Sequence, residues 1–407
     1  MEARREEFFM NILLCIDVLP TNNSGMTIRI ESIFRKLAEN HKVHFVYIGN
    51  SKMGEETRKI VQAFSSSFDQ IFLKSKQNLL GRIFNILLFK HGHYRKYRFK
   101  EDYNSVRTKL RQLIVDNKID VVHVFGCFTA QYVQGFADVF RIWDIADSYS
   151  LDMRRKMNVA PLRAKFNLWL CQIRLYNYEK EIINDFDKII FVSNIDANEY
   201  RRLKAKNKIL VIPNGVDLEY FNRNNAIKED QNCLVFTGHM SFTPNIEAAQ
   251  YFVESILPLI KKVKPKVKFF IVGADAGEKV KSLNNDIDIF VTGRVDDIRL
   301  YLDKASVFVN PMITGCGIKN KVLQAMAMQK AIVSTTLGAE SISIANGKDI
   351  LLADKTEEFA DKIIQILTDS ALRARLGEEA RKTVESNYSW ERTLTGYEEI
   401  YNLSKSN

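Results

Sequence analysis

Only 7 of the 407 residues are proline and 18 are glycine, too few for a collagen-like or Pro/Gly-rich disordered chain. No apolar run approaches the ~18 residues that cross a bilayer; the strand-like stretch 188–192 is typically short, so no membrane span is expected. The cysteines, Cys15, Cys127, Cys171, Cys233 and Cys316, are odd in number and scattered, without C-x-x-C or a histidine at metal-ligand spacing. They read as reduced thiols rather than a disulfide framework or zinc site. Neither half has G-x-G-x-x-G after its first strand, which argues against a nicotinamide dehydrogenase. No D-x-D closes a strand where it could hold Mg²⁺, since Asp286-Ile287-Asp288 precedes its strand. The opening MEARREEFF carries charge before any apolar segment and offers no cleavage site, so a cytoplasmic location without a secretory signal is expected.

What is present is an ordinary soluble composition, 46% hydrophobic and 27% charged, over a length that suits two domains. The net charge is 59 − 49 = +10. Much of the excess falls between Lys74 and Arg111, where eleven Lys/Arg face only Glu101 and Asp102. Short apolar runs alternate with longer stretches of helical period, the pattern of parallel sheets wrapped by crossover helices, so the fold class is α/β. Runs at 12–18, 43–49, 119–125, 140–146 and 187–193 are expected to form a first sheet. Runs at 233–238, 267–273, 287–293, 305–311, 331–335 and 349–353 are expected to form a second. Pro213-Asn214-Gly215 and the polar stretch to Asn232 suit a hinge. The expected domains are therefore 1–213 and 214–387, with 388–407 a final amphipathic helix packing back on the first domain. Ligands of such sheets bind beyond the carboxyl ends of strands, where helix N-termini favour phosphate.

Four segments carry chemistry: VIPNGVDLEYF (211–221), TGHMSFTPN (237–245), VTGRVDDIRLYL (291–302) and GIKNKVLQAMAMQKAIVST (317–335). In this order, each at a strand–loop–helix junction, they resemble the GT-B-fold glycosyltransferases of family 4, in particular those associated with bacterial exopolysaccharides. The resemblance covers nearly the whole chain and implies two Rossmann-like doubly wound domains facing across a cleft, the first binding acceptor and the second nucleotide-sugar. A lysine one turn into a helix can aim its ammonium at a diphosphate held at the helix start; Lys321 is the candidate, the alternative being a solvated surface lysine. Gly317 lets the backbone approach the donor. The family usually carries two glutamates eight positions apart here, where this chain has Cys316 and Gln324; Gln324 can still bond a ribose hydroxyl, without charge. The family's usual Arg/Lys pair after the first C-domain strand is replaced by Gly238-His239-Met240 and Pro244-Asn245, which leaves Lys321 with Asn320 and His239 to hold the diphosphate; Gly238 and Asn245 are candidate donor-binding residues. His239 reads equally as a structural histidine. Arg294 and Val295 match the loop that holds the base through backbone groups, which leaves UDP- and GDP-sugars both open as donors.

In the first domain the loop 20–26, with Ser24 and Gly25, could touch donor phosphate or acceptor, or be a plain strand–helix turn. Asp144 and Asp147 close the 140–146 strand, and related transferases have D-x-x-D-S there. Asp147 reads either as a group that binds acceptor or stabilises an oxocarbenium-like transition state, or as the N-cap of a helix from Tyr149. From Leu79 to Arg111 an apolar segment passes into a basic, aromatic one, which suits an anionic membrane surface on the inner face of the plasma membrane. A core helix followed by a solvated loop reads the same way, and no nucleic-acid module accompanies the patch. The expected activity is a retaining transfer of sugar from a nucleotide-sugar to a saccharide or lipid-linked acceptor in cell-surface polysaccharide or glycoconjugate synthesis. Neither cofactor nor metal is expected, because cationic side chains and helix dipoles hold the diphosphate in this family. A non-catalytic GT-B partner subunit and a nucleotide-sugar epimerase are the alternatives.

Overall fold

NILLCI (Asn11–Ile16) has five consecutive apolar residues, and all five are buried, as in a parallel strand covered by helices on both faces. It is β1 of a computed structural model that describes residues 9–17, 25–50, 52–73, 100–202, 208–224 and 226–404. The other strands of its sheet are β2 (Lys42–Gly49), β3 (Ser67–Phe72), β4 (Val121–Phe125), β5 (Phe140–Ala146), β6 (Lys188–Phe191) and β7 (Ile209–Val211). All pair in parallel, in the order β3-β2-β1-β4-β5-β6-β7. Strand alternation sorts the apolar residues into two cores. Leu13, Cys15, Val122, Val124 and Trp143 enter one, and Ile12, Leu14, Ile16, Val121 and Ile142 enter the other.

The second sheet contains β8 (Asp230–Thr237), β9 (Lys268–Val272), β10 (Ile289–Gly293), β11 (Ala305–Asn310), β12 (Ala331–Ser334) and β13 (Leu351–Leu352). Its order is β10-β9-β8-β11-β12-β13, so both sheets begin in the middle, run outward and then cross back. That reversal lies between β1 and β4 in one sheet and between β8 and β11 in the other, the switch points at which doubly wound folds bind ligands.

Two compact units result: residues Met1–Ile212 with Leu394–Asn407, and residues Pro213–Thr393. The helix Trp390–Leu403 sends Tyr397, Ile400 and Tyr401 into the same core as Ile12, Leu14 and Phe45. The loop 20–24, with Ser24, and residues 79–99 of the basic apolar segment lie outside the described residues. Gly25 is the first residue of the helix Gly25–Asn40. No helix among the described residues is long and apolar enough to cross a membrane.

Candidate active site

Beyond the carboxyl end of β8 the chain is pressed against the end of β9. Gly238 N–H donates to the Val272 carbonyl at 3.0 Å, and Met240 N–H to that of Ala274 at 2.8 Å. Gly273 N–H in turn reaches the Gly293 carbonyl at 3.2 Å, so three strand ends converge. No side chain fits at this junction: a Cβ on Gly273 would lie 1.7 Å from the Gly238 carbonyl oxygen, and one on Gly238 would lie 2.7 Å from Asn245 Nδ2 and 3.1 Å from Lys321 Nζ.

On the other side of the switch point the chain leaves β11 through Met312 and enters the helix Asn320–Ala327. NKVLQAMA places Val322, Leu323, Ala325, Met326 and Ala327 in the core, which fixes the helix and leaves Asn320, Lys321 and Gln324 partly exposed. The approach turns at Gly317, whose φ of 67° is left-handed and favours glycine. Lys319 holds that turn: its ammonium donates to the carbonyls of Cys316 and Gly317, each at 2.8 Å.

The Lys321 ammonium donates to Asn245 Oδ1, lies 3.7 Å from Met312 Sδ and sits 4.3 Å from the centroid of the Phe236 ring. All three neighbours are uncharged, and among the described residues Lys321 has no carboxylate partner. Burial, and then the Lys319 charge, push it well below the ordinary lysine range. Asn245 is oriented for its role, since its Nδ2 donates to the His239 carbonyl at 2.9 Å. Asn320 accepts from Asn214 Nδ2 at 2.9 Å. The loop is further tied by Thr314, which donates to Glu247.

The structure thus brings Gly238, Asn245 and Lys321 into one cluster, with Asn320 beside Lys321 and the turn at Gly317 ahead of it. His239 shares the cluster through its backbone, whereas its ring is engaged elsewhere: Nε2 lies 2.9 Å from Asp275 Oδ2 and Nδ1 lies 2.8 Å from Ser241 Oγ. Arg294 and Val295 follow β10 on the same sheet edge, Arg294 exposed and Val295 partly so. Sequence reasoning missed Lys319 and the neutral lining of Phe236 and Met312. The only local sign was a second lysine two positions before Lys321.

Two expectations in the first unit are corrected. Asp144, expected at an acceptor loop, is fully buried: its Oδ2 accepts from Arg29 Nε at 3.1 Å and from the Tyr397 hydroxyl, and lies 4.0 Å from His123 Nε2. His123 Nδ1 bonds the Tyr401 hydroxyl at 2.6 Å, so this polar cluster anchors the C-terminal helix and offers no surface to an acceptor. The cap of the helix Tyr149–Val159 is Ser148, whose Oγ accepts from Leu151 N–H at 3.2 Å, and not Asp147. Asp147 stands just before it, partly exposed, after Ala146 in a left-handed conformation (φ 60°). Among the described residues no cluster of His, Cys, Asp and Glu could hold a metal ion.

Residues 23–220 match the family described as Glycosyltransferase Family 4, and residues 231–369 match Glycosyl transferases group 1. A protein of the cps region of Klebsiella pneumoniae is 20% identical over 398 residues, 91% of this chain and 93% of its own length. The capsular polysaccharide biosynthesis glycosyltransferase CapM of Staphylococcus aureus is 24% identical over 219 residues, 49% of this chain and 57% of its own length. Among solved structures, Anabaena HepE in complex with UDP and glucose superposes with a TM-score of 0.67 at 11% identity, covering 97% of this chain and 99% of that one. With two parallel α/β sheets in the GT-B fold and family matches in both halves, the chain belongs to the glycosyltransferases of family 4.

Proposed function

We propose that this enzyme is a retaining glycosyltransferase that moves a sugar from a nucleotide-sugar to a saccharide or lipid-linked acceptor in cell-surface polysaccharide synthesis. The observation that carries the reading is Lys321, an ammonium at a helix start and a strand switch point whose partners are all uncharged. A diphosphate would supply the missing anion, in a site where a preorganised cation acts strongly. As the bond from the sugar carbon to the phosphate oxygen breaks and the acceptor oxygen bonds that carbon, Lys321 stabilises the charge left on the diphosphate. The acceptor proton passes to the departing phosphate oxygen. Gln324 and Asn320 bind the ribose and phosphate ends, the backbone at Arg294 and Val295 takes the base, and Asp147 serves the acceptor. A UDP-sugar donor is supported by the Anabaena relative in fold, crystallised with UDP and glucose. The setting in capsule synthesis is supported by CapM and by the Klebsiella protein of the cps region.

The test is thermal stabilisation by UDP, GDP, dTDP, CDP and ADP, with the parent and Lys321→Ala side by side. A nucleotide at about 100 times its Kd adds about 2.7 kcal/mol. One nucleotide that stabilises the parent but not the variant is the expected result; no stabilisation of the parent by any of them overturns the proposal.

A further inference from the structure

The helix Leu162–Ile182 buries one face in the expected way, with Leu170, Leu175, Tyr178, Glu179 and Ile182 inside. Its opposite face is also apolar. Leu162 is 86% exposed, Phe166 64%, Trp169 46% and Tyr176 42%. At about 100° per residue, these four and the partly exposed Ile173 fall within about 80° of arc, a stripe about 21 Å long at 1.5 Å per residue. Phe166 and Trp169 stack along it, their centroids 5.9 Å apart. The outer face of a surface helix is ordinarily polar, and contiguous exposed apolar area marks an interaction site.

Charge identifies the occupant. From Met153 to Asn177 there are six basic residues, Arg154, Arg155, Lys156, Arg163, Lys165 and Arg174, and no Asp or Glu. Arg154 and Lys156 are paired, with Glu199 and Asp152 respectively. Arg163 and Lys165 are exposed, near the start of the stripe and on either side of it. A second copy of this face would set like charge against like charge. An anionic bilayer complements it: the rings would sit at the headgroup level and each nearby cation would add to the attraction.

We propose that the helix Leu162–Ile182 docks this enzyme on an anionic lipid surface, with Phe166 and Trp169 inserted at the interface and Arg163 and Lys165 on lipid phosphates. These residues are other than those of the segment 79–111, and the docking does not depend on the identity of the donor. The test is flotation of the full chain with vesicles of phosphatidylcholine containing about one-third phosphatidylglycerol, at low and high salt, together with tryptophan emission. The parent should float with these vesicles, much less at high salt or with phosphatidylcholine alone, and its emission should shift to the blue. Trp169→Phe should still float but lose that shift, because of the other two tryptophans Trp143 is buried in the core and Trp390 packs against Gly215 in the second unit. Phe166→Glu combined with Trp169→Glu should bind at least tenfold more weakly while keeping the parent's circular dichroism and melting midpoint. The proposal is overturned if the parent does not bind vesicles, or if the double variant binds equally well. It is also overturned if Trp169→Phe keeps the shift, or if the face instead holds a parent dimer that the double variant separates.

Discussion

Glu179 gives the sharpest check on the structure of the first unit. Its side chain is 1% exposed and its carboxylate accepts from Ser150 N–H at 3.3 Å. Burial raises its pKa from the ordinary 4.5 to about 7. An acid whose folded pKa lies above its unfolded one binds more protons when folded, so stability falls as pH rises from about 4.5 through 7 and the loss is complete above 7. That rise corresponds to at most about 3 kcal/mol at alkaline pH. Glu179→Gln keeps an acceptor for Ser150 N–H and removes the buried charge. The variant should melt close to the parent at pH 5, where little of the penalty has developed. At pH 8 it should melt higher, by up to about 6–12 °C for a unit of this size. Differential scanning calorimetry of both proteins at the two pH values measures this directly. An equal difference at pH 5 and pH 8 would refute the reasoning, since it would mean that Glu179 carries no charge penalty in the folded state.

Nucleotide affinity should fall as pH rises above the depressed pKa of Lys321, because binding must then draw a proton onto the neutral amine; calorimetry in buffers of different ionisation enthalpy reads that uptake. Gln324→Glu should raise affinity for the ribose end of the donor by about tenfold, the gain from a charge-assisted hydrogen bond, and an unchanged Kd would remove Gln324 from the site. Gly273→Ala forces a Cβ to within 1.7 Å of the Gly238 carbonyl oxygen, whereas Gly277→Ala meets nothing within 4 Å; only the first should lower both the melting midpoint and nucleotide binding. Arg29→Met leaves Asp144 buried without its cation and should cost about 3–5 kcal/mol in urea unfolding.

Much of the fold was legible because central strands are continuous apolar runs. β1, β4, β5, β8, β9 and β11 all lie within or across the expected segments. The edge strands β3 and β7 were not anticipated. SFDQIF in β3 is half-polar and only partly buried, and β7 has just three residues, so neither shows the pattern that burial on both faces imposes. The same burial misled the reading of Asp144: in a strand covered on both sides, alternation does not say which side chain reaches solvent. At the site, the helix start with Gly317, Asn320 and Lys321 was readable from the resemblance of the segment 317–335 to the family and from the placing of Lys321 one turn into a helix. The pairing of Lys321 with Asn245, 76 residues away, was not, because only the strand order brings β8 and β11 side by side.

The first unit is also discontinuous in the chain. Leu394–Asn407 completes a core otherwise made from residues before Pro213. During synthesis the N-terminal sheet must therefore wait, with Asp144 and His123 lacking Tyr397 and Tyr401, while the 181 residues of Pro213–Thr393 are added. Domains otherwise tend to fold in order of their emergence. Here the closing contact cannot form until the second unit has been made, so a ribosome that stalls in the second unit releases a first unit with an open seam. The closing helix thus makes completion of the first core depend on translation of the second unit.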